Sequence, residues 1–182
     1  MPRELPPGRT CSASAWSARD LGVFASYRSI SRATAVDVMA SKFEACLKAG
    51  ADTTIDASDG RLAEQLLEAT GGKGIDVAID FVCSASTLEA AFAALAKGGR
   101  LVMLGGHGAK FTANPGEMLR KELELLGSRY ATKDEVAESL ELVARGELSP
   151  IVPEKVPLAE AETVHQRLDK GLVTGRAALL IA

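Results

Sequence analysis

Residues 74–105 read GIDVAIDFVCSASTLEAAFAALAKGGRLVMLG. They contain both the short apolar runs that are typical of buried strands and the apolar spacing of a helix, and this combination decides the fold. Residues 75–82 are apolar apart from Asp76 and Asp80, which is the pattern of a central strand buried on both faces. Residues 101–104 form a second apolar run and predict the next strand. Because a longer stretch separates these two short runs, they predict parallel neighbours joined by a crossover helix.

The stretch between the two runs carries the helical period. Leu88, Phe92 and Leu95 are spaced i, i+4 and i+7, and this spacing places them on one face of a helix. We expect that helix to stop at Gly98 and Gly99, because glycine tolerates the left-handed conformations that end helices. The sequence therefore predicts one strand–helix–strand unit here.

The same alternation continues on both sides of this unit. In chain order, the further predicted elements are a strand at 33–38, a helix at 40–48, a strand at 53–55, a helix carrying Leu62 and Leu66, a short helix at 118–120, a strand at 123–126, a helix capped by Thr132 and Glu135 with an apolar stripe of Val136, Leu140 and Val143, an extended segment at 150–157, a helix carrying Val164, Leu168 and Leu172, and a strand at 177–181. This alternation predicts an α/β fold with a mostly parallel sheet.

Charge and composition exclude several classes of protein. The 182 residues contain 21 Lys and Arg against 24 Asp and Glu, and the net charge of −3 gives no electrostatic reason to expect a nucleic-acid partner. No uncharged apolar stretch approaches the roughly 18 residues of a membrane span, so we expect no membrane partner. The three cysteines, Cys11, Cys46 and Cys83, form no CxxC pair and no spacing typical of zinc. We expect reduced thiols and a cytoplasmic protein.

Residues 1–32 differ in composition from the rest of the chain. They hold five Arg against Glu4 and Asp20, a charge of 5 − 2 = +3, whereas residues 33–182 carry 16 − 22 = −6. Serine and proline crowd this first segment, and no convincing strand or helix period appears in most of it. We therefore predict an atypical, poorly ordered segment over residues 1–32 and a folded α/β domain over residues 33–182.

Four stretches, in this order and spacing, carry a resemblance to a known family. They are AVDVMASKFEACLKAGAD at 35–52, the quoted stretch at 74–105, KELELLGSRYATKDEVAESLELVARGEL at 121–148 and GRAALLIA at 175–182. As a set they resemble the C-terminal cofactor-binding domain of the zinc-type alcohol dehydrogenases, the medium-chain dehydrogenase/reductase family. The resemblance implies a Rossmann-like, doubly wound, mostly parallel sheet, an NAD cofactor, and hydride transfer between alcohol and aldehyde in the complete family enzyme.

Two parts of the family pattern are absent from the sequence. The family's glycine fingerprint, G-x-G-x-x-G, would fall at residues 17–22, where only Gly22 is retained and long or negative side chains stand where a diphosphate must approach. We therefore expect the first βα unit to be missing or degenerate. The family's catalytic zinc ligands come from an N-terminal domain, and His107 and His165 match no ligand position. We expect no zinc and no catalytic residue in this chain.

The resemblance implies a set of cofactor-binding positions. Asp37 would hydrogen-bond the adenosine ribose, where its charge would favour NAD over NADP, and Lys42 would contact the same ribose. Arg176 would reach the pyrophosphate. Backbone groups at two strand ends would contact ribose and nicotinamide, and these positions are Val82, Cys83, Leu104, Gly105 and Gly106. An ordinary structural role stays open for each: a solvated acid, an exposed lysine, core packing, glycines at a turn or a surface arginine.

Three interpretations of function stay open. The chain is the cofactor-binding half of a dehydrogenase, inactive alone and dependent on a catalytic domain from a separate chain; or it is a truncated, non-catalytic remnant without cofactor binding; or it is an interaction module that forms a homodimer through an edge strand. Residues 1–32 are a genuine replacement, the product of a shifted reading frame, or a targeting segment with the Arg-rich, Ser-rich, acid-poor composition of a transit peptide.

Overall fold

The computed structural model describes residues 22–25, 32–106 and 109–181, and residues 22–25 as backbone alone. The strands in these ranges are β1 (Gly22–Ala25), β2 (Ala33–Asp37), β3 (Thr53–Asp56), β4 (Ile75–Asp80), β5 (Leu95–Met103), β6 (Glu124–Gly127), β7 (Glu154–Pro157) and β8 (Ala177–Leu180). The α-helices are α1 (Phe43–Lys48), α2 (Leu62–Ala69), α3 (Ala85–Ala94), α4 (Pro115–Lys121), α5 (Lys133–Ala144) and α6 (Ala161–Asp169). None of these helices is long and apolar enough to cross a membrane.

The first six strands form one sheet in the order β3-β2-β1-β4-β5-β6. β2 and β3 are parallel, as are β4, β5 and β6, whereas β1 runs antiparallel to both of its neighbours. Since β1 opposes both β2 and β4, those two strands point the same way, and the carboxyl ends of five strands meet at one side of the sheet. We call this side the carboxyl edge. The predicted α/β fold with a mostly parallel sheet is confirmed.

Helices pack against both faces of the sheet, as in a doubly wound arrangement. On one face α2 and α3 pack against the sheet, with Leu66 of α2 at 1% exposure, and Val36 of β2 joins this cluster. On the other face Cys46 of α1 packs against Ala35. The neighbouring residues Ala35 and Val36 serve opposite faces because successive strand side chains alternate. Burial of a leucine such as Leu66 contributes about 1.5–3 kcal/mol.

The predicted end of the helix in the quoted stretch is wrong. α3 ends at Ala94, before the expected stop at Gly98 and Gly99, and Leu95 begins β5 instead of lying on the helix. The backbone becomes extended at Leu95, with ψ at 135°, and this residue pairs with Ile75 and is 2% exposed. The chain leaves the helix early because the extended conformation inserts Leu95 into the core.

The last predicted helix is also shorter than expected. α6 ends at Asp169, and Gly171, with φ at +67°, supplies the left-handed residue that terminates it. Leu172 therefore lies beyond the helix, 59% exposed. The segments on either side of α6 form a separate two-stranded parallel sheet of β7 and β8. The ion pair between Arg167 of α6 and Glu154 of β7, at 2.7 Å, joins helix and sheet.

The strand β1 lies inside residues 1–32, the segment that the sequence predicts to be atypical and poorly ordered. Gly22 pairs with Val36 of β2, and Val23 pairs with Ile79 of β4. In a Rossmann sheet this central slot holds a parallel strand whose carboxyl end leads into the glycine loop. Here the amino end of β1 lies at the carboxyl edge instead, which agrees with a degenerate first βα unit. Residues 1–21 and 26–31 lie outside the described ranges, so the poor order expected of residues 1–32 stays a prediction.

Gly105 occupies the point where the ends of β4 and β5 approach each other most closely. A Cβ atom at residue 105 would lie 2.6 Å from the carbonyl oxygen of Phe81 and 2.7 Å from that of Val82. The backbone cannot easily move away, because the N–H groups of Leu104 and Gly105 both donate to the carbonyl oxygen of Asp80, at 2.9 and 3.3 Å. Glycine at this position is therefore a steric requirement.

We expect Gly105→Ala to lower the free energy of unfolding by about 1–3 kcal/mol, because the added methyl group overpacks two strand ends that consist of backbone. Gly106→Ala is the matched control, since a Cβ there meets no atom within 4 Å. Urea denaturation of the two variants measures the difference. Equal transition midpoints for both would contradict the steric role of Gly105.

Candidate functional site

Three strands that end at the carboxyl edge finish with an aspartate: Asp37 on β2, Asp56 on β3 and Asp80 on β4. A side-chain carboxylate in this position can accept a hydrogen bond from the backbone two residues later, and this Asx turn bends the chain out of the sheet. In all three cases the Oδ1 atom is the acceptor, and the donors are the N–H groups of Met39, Ser58 and Val82, at 2.8, 2.9 and 2.9 Å. Asp56 is exposed, whereas the other two are buried.

Asp37 and Lys42 lie together at the end of β2. Lys42 closes the 3₁₀ turn Ala40–Lys42, and its Nζ lies 3.9 Å from Asp37 Oδ2, with 3% and 5% of the two side chains exposed. A carboxylate acceptor beside an ammonium donor can hold adjacent hydroxyl groups of a ribose. Cys46 follows one turn later in α1, and burial, with the charge of Asp37 as a second cause, raises the pKa of its thiol. It is a neutral packing group rather than a nucleophile.

Four of the five strand-end positions implied by the resemblance gather around Asp80. Leu104 and Gly105 donate their backbone N–H groups to its carbonyl oxygen, at 2.9 and 3.3 Å. Val82 and Cys83 donate theirs to its Oδ1 atom, at 2.9 and 2.8 Å. One residue thus joins the turn after β4 to the turn after β5.

Cys83 takes a backbone conformation that side chains disfavour. Its φ of +52° lies in the left-handed region, where a Cβ atom carries a steric cost that glycine avoids. The thiol donates to the carbonyl oxygen of Asp80 at 3.2 Å, and burial, followed by the charge of Asp80, raises its pKa. Cys83 contributes backbone and volume to this turn, and its raised pKa argues against a thiolate. Gly106, by contrast, borders open space.

Sequence reasoning missed Asp80 as a member of the site and treated it as an interruption of an apolar run. The signal was present, because an acid at the last position of a strand buried on both faces must find hydrogen-bond donors. Asp80 is 0% exposed, and within the described ranges its second carboxylate oxygen, Oδ2, has no hydrogen-bond partner.

The candidate site has two parts, separated by β1. Strands in a sheet lie about 4.8 Å apart, so the ends of β2 and β4 are separated by about 10 Å. The first part is the buried pair of Asp37 and Lys42, and the second part consists of the turns around Asp80. Between them the edge carries the amino end of β1 and not a strand that leads into a glycine loop. Residues 17–21 of the expected fingerprint position, and His107, lie outside the described ranges.

Two further predicted features lie away from these parts. Arg176 belongs to the β7–β8 unit, where its side chain is exposed and its backbone N–H donates to Ile151 at 2.8 Å. It is not part of the six-stranded sheet, and its role toward a pyrophosphate stays a prediction. Across residues 32–106 and 109–181, no three His, Cys, Asp or Glu side chains are arranged to hold a metal ion.

Comparison with known proteins extends these observations. The family model described as zinc-binding dehydrogenase matches residues 24–145. The NAD-dependent alcohol dehydrogenase of Sulfurisphaera tokodaii is 31% identical over 145 residues, which are 80% of this chain and 42% of that protein. The D-arabinose 1-dehydrogenase (NADP(+)) of Saccharolobus solfataricus is 30% identical over 131 residues, 71% of this chain and 36% of that protein.

Solved structures agree with the sequence relatives. The alcohol dehydrogenase from the hyperthermophilic archaeon Aeropyrum pernix matches with a TM-score of 0.74 and 32% identity, over 81% of this chain and 42% of that one. This chain thus spans about two fifths of the length of the curated alcohol dehydrogenases that it matches, at 42%. It is homologous to the NAD-binding domain of those enzymes. The chain belongs to the zinc-binding dehydrogenase family and corresponds to the C-terminal domain of the zinc-type alcohol dehydrogenases.

Proposed function

We propose that this chain binds NAD along the carboxyl edge of its sheet. The observation that carries the proposal is the buried pair of Asp37 and Lys42 at the end of β2, whose charged groups lie 3.9 Å apart. In the bound state the carboxylate accepts hydrogen bonds from the adenosine ribose, and the ammonium group donates to it. The turns at Val82 and Gly105 contact the nicotinamide end. NAD supplies the hydride acceptor, and the residues of this chain bind and orient it.

Asp37 makes NAD the preferred coenzyme over NADP. The additional phosphate of NADP carries about −1.5 to −2 charges at neutral pH, and it would lie against a carboxylate that is 8% exposed. Repulsion between like charges is strong where little water screens it. The relatives include an NADP(+) enzyme as well as NAD enzymes, so family membership alone does not determine the preferred coenzyme.

We further propose that alcohol oxidation requires a catalytic domain outside these 182 residues, which would carry the zinc ligands. This proposal is supported by the apolar stripe of α5, defined as Val136, Leu140 and Val143. The stripe has the spacing of a core-facing helix, and its residues are 49%, 64% and 37% exposed. A row of exposed apolar side chains along one helix face is typical of an interaction surface. A catalytic domain packed on this face would cover it.

A non-catalytic role is the second candidate, and the direction of β1 favours it. The antiparallel β1 puts its amino end at the point of the carboxyl edge where a dinucleotide's pyrophosphate meets the glycine loop in Rossmann folds. A chain without that loop binds dinucleotide weakly or not at all. In this candidate function the chain forms a homodimer through an edge strand, and β6 is such a strand, with Leu126 40% exposed.

Calorimetric titration with NAD and NADP tests the first proposal. We expect the wild-type chain to bind NAD more tightly than NADP. Asp37→Asn should lower the affinity for NAD by about tenfold or more, because a hydrogen bond to a charged group is lost. The same change should reduce the discrimination against NADP. Asp56→Asn is the matched control, since Asp56 makes the same Asx turn on β3 but is exposed.

Absence of NAD binding at millimolar concentration would favour the non-catalytic candidate. If the ratio of NAD affinity to NADP affinity were unchanged in Asp37→Asn, Asp37 would not be part of the coenzyme site.

The apolar stripe of α5 generates a second prediction. We expect Leu140→Glu to leave the free energy of unfolding within about 0.5 kcal/mol of wild type, because Leu140 packs against little of the chain. The same variant should abolish association with a zinc-bearing catalytic domain added as a separate protein, measured by sedimentation velocity of the mixture. Glu138→Ala is the control, since residue 138 lies about 160° around the helix from residue 140. A loss of stability above 2 kcal/mol in Leu140→Glu would mean that this chain itself buries the stripe.

A further inference from the structure

The carboxyl edge contains a buried acid that contacts no solvent and that lies between the two turns assigned to the nicotinamide end. Asp80 is 0% exposed and ends β4, where Met103 of β5 pairs with it. A residue enclosed in this way cannot touch a bound ligand directly. Any influence of Asp80 on a ligand must therefore pass through the backbone groups that Asp80 holds.

Those backbone groups belong to the two turns assigned to the nicotinamide end of the proposed cofactor. The carboxylate Oδ1 accepts from the N–H groups of Val82 and Cys83, at 2.9 and 2.8 Å, and it is the described acceptor for both. The backbone carbonyl of Asp80 accepts from Leu104 and Gly105. The side chain therefore controls the turn after β4, and the main chain controls the turn after β5.

The turn after β4 needs this support because its backbone is strained. Cys83 has a φ of +52°, a conformation that residues with a side chain rarely adopt. Without the two hydrogen bonds to Oδ1, this residue would relax toward negative φ, and the peptide of Val82 would rotate. That peptide already lies against Gly105, where a Cβ would be 2.7 Å from the Val82 carbonyl oxygen. Rotation would therefore disturb both turns.

We propose that Asp80 is a positioning residue for the nicotinamide end of the cofactor: its carboxylate fixes the peptide of Val82 and Cys83 in the conformation that receives the ligand. This proposal rests on the proposed binding of NAD along the same edge. It predicts that Asp80 matters for the nicotinamide half of NAD and not for the adenosine half, which Asp37 holds on the other side of β1. AMP, which contains the adenosine ribose but no nicotinamide, separates the two halves.

The test uses the whole chain with Asp80→Ala and Asp80→Asn. The alanine variant removes both accepted hydrogen bonds, whereas asparagine keeps its Oδ1 acceptor and places its amide nitrogen at Oδ2, which has no partner among the described residues. We expect Asp80→Ala to bind NAD about tenfold more weakly, the effect of losing two hydrogen bonds, and to bind AMP as wild type does. Asp80→Asn should restore most of the NAD affinity. If the alanine variant does not fold, Asp80→Ser, which retains one short acceptor, replaces it.

Amide hydrogen exchange provides a readout that needs no ligand. We expect Asp80→Ala to accelerate exchange at Val82 and Cys83, since both lose their acceptor, while Leu88 in α3 stays protected. Asp56→Ala is the matched control and should affect only Ser58, the donor of the corresponding turn on β3.

The positioning role would be overturned if Asp80→Ala lowered the affinities for NAD and AMP equally. Unchanged amide hydrogen exchange rates at Val82 and Cys83 in this variant would also overturn it. If wild-type chain binds neither NAD nor AMP, the proposed function fails, and the assignment of Asp80 to a cofactor fails with it. In that case faster exchange at Val82 and Cys83 would identify Asp80 as a support of the turn alone.

Discussion

The close approach of β4 and β5 at their carboxyl ends is the constraint on which the rest of the structure depends. Only glycine fits at position 105, because any side chain there would collide with the carbonyl oxygens of Phe81 and Val82. The approach is held by hydrogen bonds to Asp80 and by the core beneath it, where Ala78 and Leu101 are 0% exposed. These contacts determine where the chain turns after each strand, and those turns form half of the candidate site.

The direction of the strands, more than any one sequence motif, determines which residues of the candidate site lie together. Parallel strands bring their carboxyl ends to one edge, and a terminal aspartate bends the chain out of the sheet at β2, β3 and β4. Asp37 and Asp80 are buried, and each holds the backbone that follows it through hydrogen bonds to its carboxylate. β1 lies between the two parts of the site, and its antiparallel direction distinguishes this chain from a complete dinucleotide-binding fold, in which a parallel strand occupies the same position.

Much of the fold is predictable because the spacing of apolar residues along the sequence indicates which side chains are buried. The apolar run over residues 75–82 predicts the central strand. The family resemblance places Asp37 and Lys42 on the same ribose, and the structure brings their charged groups to 3.9 Å from each other. The spacing of apolar residues could not locate the end of α3, because Leu95 continues the helical spacing although its backbone is extended. The same spacing could not reveal that Leu140 is exposed, because an apolar stripe has the same sequence pattern whether it packs against this chain or against another. The direction of β1 depends on contacts with distant strands, which no local pattern encodes.

We propose that NAD binds across both parts of the carboxyl edge. Amide chemical-shift mapping during a titration with NAD tests it most directly, because the N–H groups of Met39, Val82 and Gly105 report on the two parts separately. The account predicts that these three signals shift together and saturate at one common concentration. No shift at millimolar NAD, or shifts confined to the β7–β8 unit, would contradict it.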